Sequence, residues 1–144
     1  DVLKISLADL AFLVPDIDND YVAALNTIGF NGRLAVVTLG RDGAWYKRGE
    51  IEDQVPSPCV QVVDSTGAGD GFMASLLDSL LNHDMDIEGI DAETLRGIML
   101  RASAAGALTT TGYGAIPSLP DNASIDTLLR FVTLGNGRVR AGNC

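Results

Sequence analysis

Val62-Val63-Asp64-Ser65-Thr66-Gly67-Ala68-Gly69-Asp70-Gly71-Phe72 decides how this chain is read. The apolar start, from Val60-Gln61-Val62-Val63, reads as a short strand. Beyond the small residues, Phe72, Met73, Leu76, Leu77, Leu80 and Leu81 recur at helical spacing and predict a helix from about Asp70 to Asn82. A strand that turns tightly into a helix aims the free amides of the first helical turn at one spot, with the positive end of the helix dipole behind them. That is an anion site made by backbone geometry. Gly67 and Gly69 let a phosphate approach without a Cβ in the way. Two familiar phosphate patterns fail here. A Walker A loop needs a lysine that is absent, and the dinucleotide fingerprint needs glycine where Phe72 stands. Asp70 sits at the mouth of the turn. A carboxylate beside bound phosphate is repelled by it. Asp70 therefore reads either as a helix cap or as a base that takes a proton from a hydroxyl attacking that phosphate.

Composition bounds the rest. The chain has 144 residues, enough for one domain with a real core, and 47% of them are hydrophobic. No apolar run approaches the ~18 residues of a membrane span. The N-terminus, Asp1-Val2-Leu3-Lys4, has neither an initiator Met nor a signal-peptide layout, and reads as a fragment or processed piece. Nineteen acidic against ten basic residues give a net charge of −9. That balance repels nucleic acid and anionic membranes, so no partner of either kind is expected. A small anion held by backbone amides is still compatible with it. Cys59 and Cys144 have no metal-ligand or CxxC spacing and read as reduced thiols of a cytoplasmic protein.

Helices and strands alternate along the chain. Ser6 caps a predicted helix over Leu7–Leu13, and Asp20–Ile28 forms another, closed by Gly29. Leu34–Leu39 is a continuous apolar run, as a strand buried on both faces requires. Should its neighbours be missing, it would present a hydrophobic edge. Gly40-Arg41-Asp42-Gly43 is a turn into a strand over Ala44–Arg48, where Trp45 and Tyr46 read as strand packing. Pro56 and Pro58 mark a sheet-edge or loop passage. Asp91 caps a helix from Ala92 to about Thr109, whose run Ala102-Ser103-Ala104-Ala105-Gly106-Ala107 allows close backbone approach. A loop over Thr110–Pro120 and a helix over Asn122–Val132 follow, and the tail Gly135–Cys144 has little to pack. His83 reads as a solvated helix end, and the acidic stretch Asp84–Glu93 lacks EF-hand spacing. The whole pattern is that of an α/β layered fold.

Asp64-Ser65-Thr66-Gly67-Ala68-Gly69-Asp70 resembles the signature D-T-x-G-A-G-D of the ribokinase/PfkB family of carbohydrate kinases. Thr38-Leu39-Gly40-Arg41-Asp42-Gly43 resembles the family's T-L-G-x-x-G nucleotide segment. The small-residue helix and the loop through Gly112, Gly114 and Ser118 are similar to its closing elements, and Lys4–Asp9 to a stretch where the family has Asn or Ser followed by Glu. The resemblance is to the C-terminal half of such kinases. Their N-terminal half carries the first strands, a β lid and most sugar contacts. It implies a ribokinase-like layered α/β/α (Rossmann-like) sheet flanked by helices, with residues 1–134 as the ATP-binding and catalytic part and 135–144 as a tail.

The implied activity is transfer of the ATP γ-phosphate to a sugar hydroxyl, fructokinase-like in detail. Asp70 would be the general base, and the amides of Gly67, Ala68, Gly69 and Asp70 the anion hole. Thr38, Gly40, Gly43 and Gly69 would line the nucleotide. Ser103 would stand near the adenine, where its other reading is a small packing residue. A monovalent cation, K⁺, is implied at Asp64, Thr66, Thr109, Gly112, Gly114 and Ser118, with turn chemistry as the alternative for that loop. Asp9 stands where the family has a Glu that organises Mg²⁺, or else is an ordinary first-turn charge. Pairing as a homodimer would run through the N-terminal half. The rival readings are a kinase for a nucleoside or a keto-deoxy sugar acid, and an inactive nucleotide-binding or interaction module.

Overall fold

The computed structural model describes residues 1–15 and 17–134. Strand β1 (Val2–Ser6) runs directly into helix α1 (Leu7–Leu13). Ser6 makes the junction: its backbone is still extended and its hydroxyl accepts the Asp9 N–H at 3.1 Å, as the sequence predicts for a cap. Helix α2 (Tyr21–Thr27) starts from Asp20, whose carboxylate accepts the Ala23 N–H at 2.9 Å. The chain then returns to β2 (Leu34–Thr38), parallel to β1 with Val2 opposite Leu34 and Ser6 opposite Thr38. A 3-10 turn over Gly40–Asp42 leads into β3 (Ala44–Arg48) and β4 (Ile51–Val55), both antiparallel to their predecessors. The sheet order is β1-β2-β3-β4. Strand β2 is thus flanked on both sides, and the exposed edge that the sequence raises for Leu34–Leu39 falls on β1 and β4 instead.

Alternation along the strands builds two cores. Leu34, Val36, Ala44, Tyr46 and Val55 face one way and pack with Phe72, Leu76, Leu80, Leu95 and Met99. Ala35, Val37 and Trp45 face the other way and pack with Leu10, Ala24 and Leu25. The first set belongs to α3 (Ala68–Leu81) and α4 (Ala92–Thr109), the second to α1 and α2. This is the expected α/β/α layering. Helix α5 (Asn122–Leu134) lies on α4 through Ile125, Ala104 and Ala105. Trp45 and Tyr46 are strand packing, as read from the sequence. His83 is exposed in the turn after α3.

Three expectations are corrected. Val60–Val63 is not a strand: among the described residues no strand pairs with it, and Val62 is 62% exposed. Helix α3 begins at Ala68 rather than Asp70, and its apolar stripe is narrower than the spacing suggests, since Leu81 is 65% exposed. Cys59 is disulfide-bonded, not a reduced thiol. Cys144 and the expected tail over 135–144 lie outside the described residues. Among the described residues, no helix is long and apolar enough to cross a membrane.

Tyr46 ties the sheet to α4. Its hydroxyl donates to Asp53 at 3.3 Å, and Asp53 in turn pairs with Arg96. Burial first, and then the adjacent Asp53 charge, push the phenol up from 10.0 to about 12. The unfolded chain gives up this proton earlier than the folded one, so the phenol's contribution to stability is full below pH 10 and is lost as pH rises through about 12. Urea unfolding at stepped alkaline pH checks this: Tyr46→Phe should lose less stability than the wild type across that interval.

Candidate functional site

Because β1 and β2 are parallel, their carboxyl ends open on the same edge of the sheet, where α/β folds place ligands. A cavity of 1330 Å³ lies there. It is walled by Lys4 and Ser6 at the end of β1, by Thr38, Gly40 and Gly43 around the turn after β2, and by residues 57–62. Ala68, Gly69 and Phe72 of α3 and Ser103, Gly106 and Ala107 of α4 close it. The expected nucleotide residues Thr38, Gly40, Gly43, Gly69 and Ser103 therefore share one cavity.

Local chemistry explains each wall. Gly43 has φ 93°, and a Cβ on it would stand 1.9 Å from the Val55 carbonyl oxygen, so only glycine lets this turn lie against the end of β4. The Thr38 hydroxyl leans on the Ile5 carbonyl across the parallel pair at 3.5 Å. Ser103 is buried and donates to the Pro56 carbonyl at 3.0 Å, which fixes the 57–62 wall on α4. The N–H groups of Val63 and Asp64 both reach the Thr110 carbonyl, at 2.8 and 3.2 Å.

Gly67 opens α3 in the left-handed region, at φ 81°, with no side chain capping the helix. Ala68 N–H reaches back to Ser65, and Gly71 N–H to Gly67. Between them, the N–H groups of Gly69 and Asp70 have no protein partner among the described residues. Asp70 is in the first turn, exposed, and is not the cap; it follows Gly69 in sequence but is not among the residues that line the cavity. Asp9 is also outside the lining, and its carboxylate accepts the Ser6 hydroxyl at 2.6 Å.

The residues expected around a cation form a second cluster behind the α3 N-terminus. Asp64 accepts the Thr66 N–H and the Gly114 N–H, each at 2.9 Å, and so staples the 64–67 turn to the 111–118 loop. These two amides, Gly114 first, hold its carboxyl below the ordinary carboxylate value. Ser118 donates to the Tyr113 carbonyl at 3.1 Å and would touch any Cβ on Gly112. Thr109 donates to Ala105 at 2.8 Å and lies beside Gly67 and Gly71. The hydroxyl protons of Thr109 and Ser118 are thus already committed, while their lone pairs and the loop carbonyls are still oxygen donors of the kind a hard cation takes. Among the described residues, no group of three or more His, Cys, Asp or Glu side chains could hold a metal.

The sequence reading missed Lys4. It comes from β1, a strand that was not anticipated, and its Nζ lies 2.7 Å from where a Cβ on Gly69 would stand.

Comparison with known proteins agrees with this fold. A profile of the pfkB family carbohydrate kinase matches residues 1–122. The probable fructokinase-2 of Arabidopsis thaliana is 35% identical over 131 residues, which is 91% of this chain and 39% of that protein. The Vibrio cholerae fructokinase in its fructose-, ADP- and calcium-ion-bound form aligns with a TM-score of 0.75 at 32% identity, covering 90% of this chain and 41% of that one. The aminoimidazole riboside kinase of Salmonella enterica, complexed with aminoimidazole riboside and an ATP analogue, aligns at 0.73 and 31%, covering 89% and 41%. The chain thus spans about two-fifths of the length of these relatives.

Asp64→Ala should raise amide hydrogen exchange at Thr66 and Gly114 while leaving the β2 amides protected. In the wild type, a depressed carboxyl pKa keeps the staple ionised through the ordinary carboxylate range near ~3.9. Protection at the two amides is therefore expected to persist as pH falls into that range and to be lost below it.

Proposed function

The chain belongs to the pfkB family of carbohydrate kinases, and we propose that residues 1–134 form the ATP-binding and catalytic part of an enzyme that moves the γ-phosphate of ATP to a sugar hydroxyl. One observation carries this reading. The first turn of α3, with its unpartnered amides, and the turn from Thr38 to Gly43 wall the same cavity at the ends of parallel strands. A nucleoside triphosphate needs both: a slot for its base and ribose, and an anion site at its far end.

The chemistry follows from the groups at that far end. The sugar hydroxyl gives its proton to the Asp70 carboxylate. Its oxygen bonds to the γ-phosphorus as the bond to the β,γ-bridging oxygen breaks, and ADP leaves with that electron pair. Charge spreads over the phosphoryl oxygens in the transition state. The Gly69 and Asp70 N–H groups, at the positive end of α3, are donors for it, with Gly67 and Ala68 shaping the turn. Asp70 is exposed in the first turn of α3, next to Gly69 of the anion turn. Thr38, Gly40 and Gly43 border the nucleotide, and Ser103 holds the wall near the base.

Bound Mg²⁺ would offset phosphate charge. The sparse carboxylates here suit an ion that arrives with the nucleotide and takes one or two protein oxygens, Asp9 among them. A monovalent cation such as K⁺ would sit in the Asp64 loop, on oxygens of Thr66, Thr109, Gly112, Gly114 and Ser118. Its contribution would be to hold the loop behind the anion site. The acceptor is a sugar of the fructose class, with a riboside as the competing acceptor that the names of the relatives suggest. Any homodimer contact lies outside this chain.

Calorimetric titration with ATP, in the presence of Mg²⁺ and K⁺, tests the site. The wild-type chain should bind, Gly69→Val should bind much more weakly, and Asp70→Asn should bind as the wild type does. Where sugar-dependent ADP release is measurable, Asp70→Asn should lower it ~10²–10⁴-fold, the usual share of general-base catalysis. Equal binding by Gly69→Val would overturn the anion site. ATP binding with no ADP release on any of fructose, ribosides or keto-deoxy sugar acids would make the chain a nucleotide-binding module.

A further inference from the structure

We infer that Ser103 is a positioning residue for the nucleobase: through Pro56 it sets the width of the slot that takes the ring. This rests on the kinase reading and says how that site selects its nucleotide. Residues 57–62 line the cavity without belonging to any strand. Pro56 and Pro58 lack the N–H that a ladder would use. Among the described residues, the main chain of Val60, Gln61 and Val62 makes no hydrogen bond to the rest of the protein. The hydrogen bonds that hold this segment are at its two ends, and both ends hang on α4. The Ser103 hydroxyl donates to the Pro56 carbonyl at 3.0 Å. The Thr110 carbonyl accepts the N–H groups of Val63 and Asp64 at 2.8 and 3.2 Å.

Chain length turns this suspension into an arch. Ser103 and Thr110 are seven positions apart on a helix, about 10 Å at the helical rise. Pro56 and Val63 are also seven positions apart, about 23 Å when extended. The excess length bows away from α4. Beneath the bow is the face of α4 made by Ser103, Gly106, Ala107 and Thr110, whose spacing of three, four and seven puts them in one stripe. All four line the cavity. Gly106 and Ala107 carry almost no side chain, so the space between helix and arch suits a flat ring.

Pro56 also supports the turn after β2. A Cβ on Gly43 would stand 2.8 Å from the Pro56 Cα, so the two walls of the slot meet at this residue. Ser103 pins that corner. It is only 5% exposed, and its one hydroxyl proton is spent on Pro56. It therefore acts on the base through the wall and donates no hydrogen bond to it. Without the hydroxyl, the Pro56 carbonyl loses this partner and the arch is free to swing outward. Attraction between flat surfaces falls steeply with a small gap, so the ring loses contact on one face. The anion turn at the start of α3 does not use this bond and keeps its grip. A two-ring base touches more of the arch than a one-ring base, so the loss is larger for adenine than for cytosine.

The test measures the affinity of the wild type and Ser103→Ala for ATP, CTP, adenosine and inorganic tripolyphosphate by calorimetry, with Mg²⁺ present and a circular-dichroism check of folding. Reductant is left out, so that the disulfide at Cys59 is the same in both proteins. Ser103→Ala should lose about three- to tenfold for ATP and for adenosine, the worth of one neutral hydrogen bond. It should bind tripolyphosphate as the wild type does, and its preference for ATP over CTP should narrow. Equal losses for adenosine and tripolyphosphate, or no loss for adenosine, would overturn the role of Ser103 while leaving the nucleotide site intact. The wild type gives a second reading that needs no variant: adenosine should shift the NMR amide signals of Val60, Gln61 and Val62, and adenosine binding without that response would overturn the arch as the base wall. Failure of the folded wild type to bind either ATP or tripolyphosphate would overturn the kinase reading and this inference with it.

Discussion

The close approach of α3 to α4 is the constraint on which the rest depends. A Cβ on Gly71 would stand 2.2 Å from the Thr109 hydroxyl, and one on Gly106 would stand 3.0 Å from the Ala68 carbonyl. Two glycines therefore let the helices meet backbone to backbone at the end where α3 begins. Overpacking such a contact costs about 1–3 kcal/mol and forces the helices apart. That shift would fall at the first turn of α3, where the unpartnered amides are. Packing below, through Phe72, Leu76, Leu80, Leu95 and Met99, fixes both helices on the sheet.

Electrostatics follows from that placement. A chain with net charge −9 repels anions at long range. It compensates at one place, by directing the α3 N-terminus and Lys4 into the same cavity, with Arg41 on the wall opposite in sequence. Asp64 serves the site by holding the turn and the 111–118 loop together, which leaves the Gly69 and Asp70 amides free to point outward.

Much of this was legible because it is written in local chemistry. The caps Ser6 and Asp91 and the small-residue run of α4 are each decided within a few residues, and they fall where the spacing puts them. What failed depends on distant partners. Val60–Val63 has the composition of a strand, but no neighbour offers it a ladder. Val2–Ser6 reads only as a helix approach until β2 lies beside it. Strand β4 is hidden because only Ile51 and Val55 are apolar. Lys4 was missed for the same reason: its neighbour Gly69 is sixty-five positions away in sequence, and a lone lysine carries no local pattern.

The account stands on the first turn of α3 as an anion site. Backbone amide chemical shifts of this chain, followed by NMR on adding ATP and, separately, adenosine, read that turn directly. ATP should move the Gly69 and Asp70 amide signals strongly, and adenosine should move signals around Thr38–Gly43 and Ser103 while leaving Gly69 and Asp70 nearly unchanged. If ATP binds and those two amides do not respond, the phosphates are held elsewhere and the account is wrong.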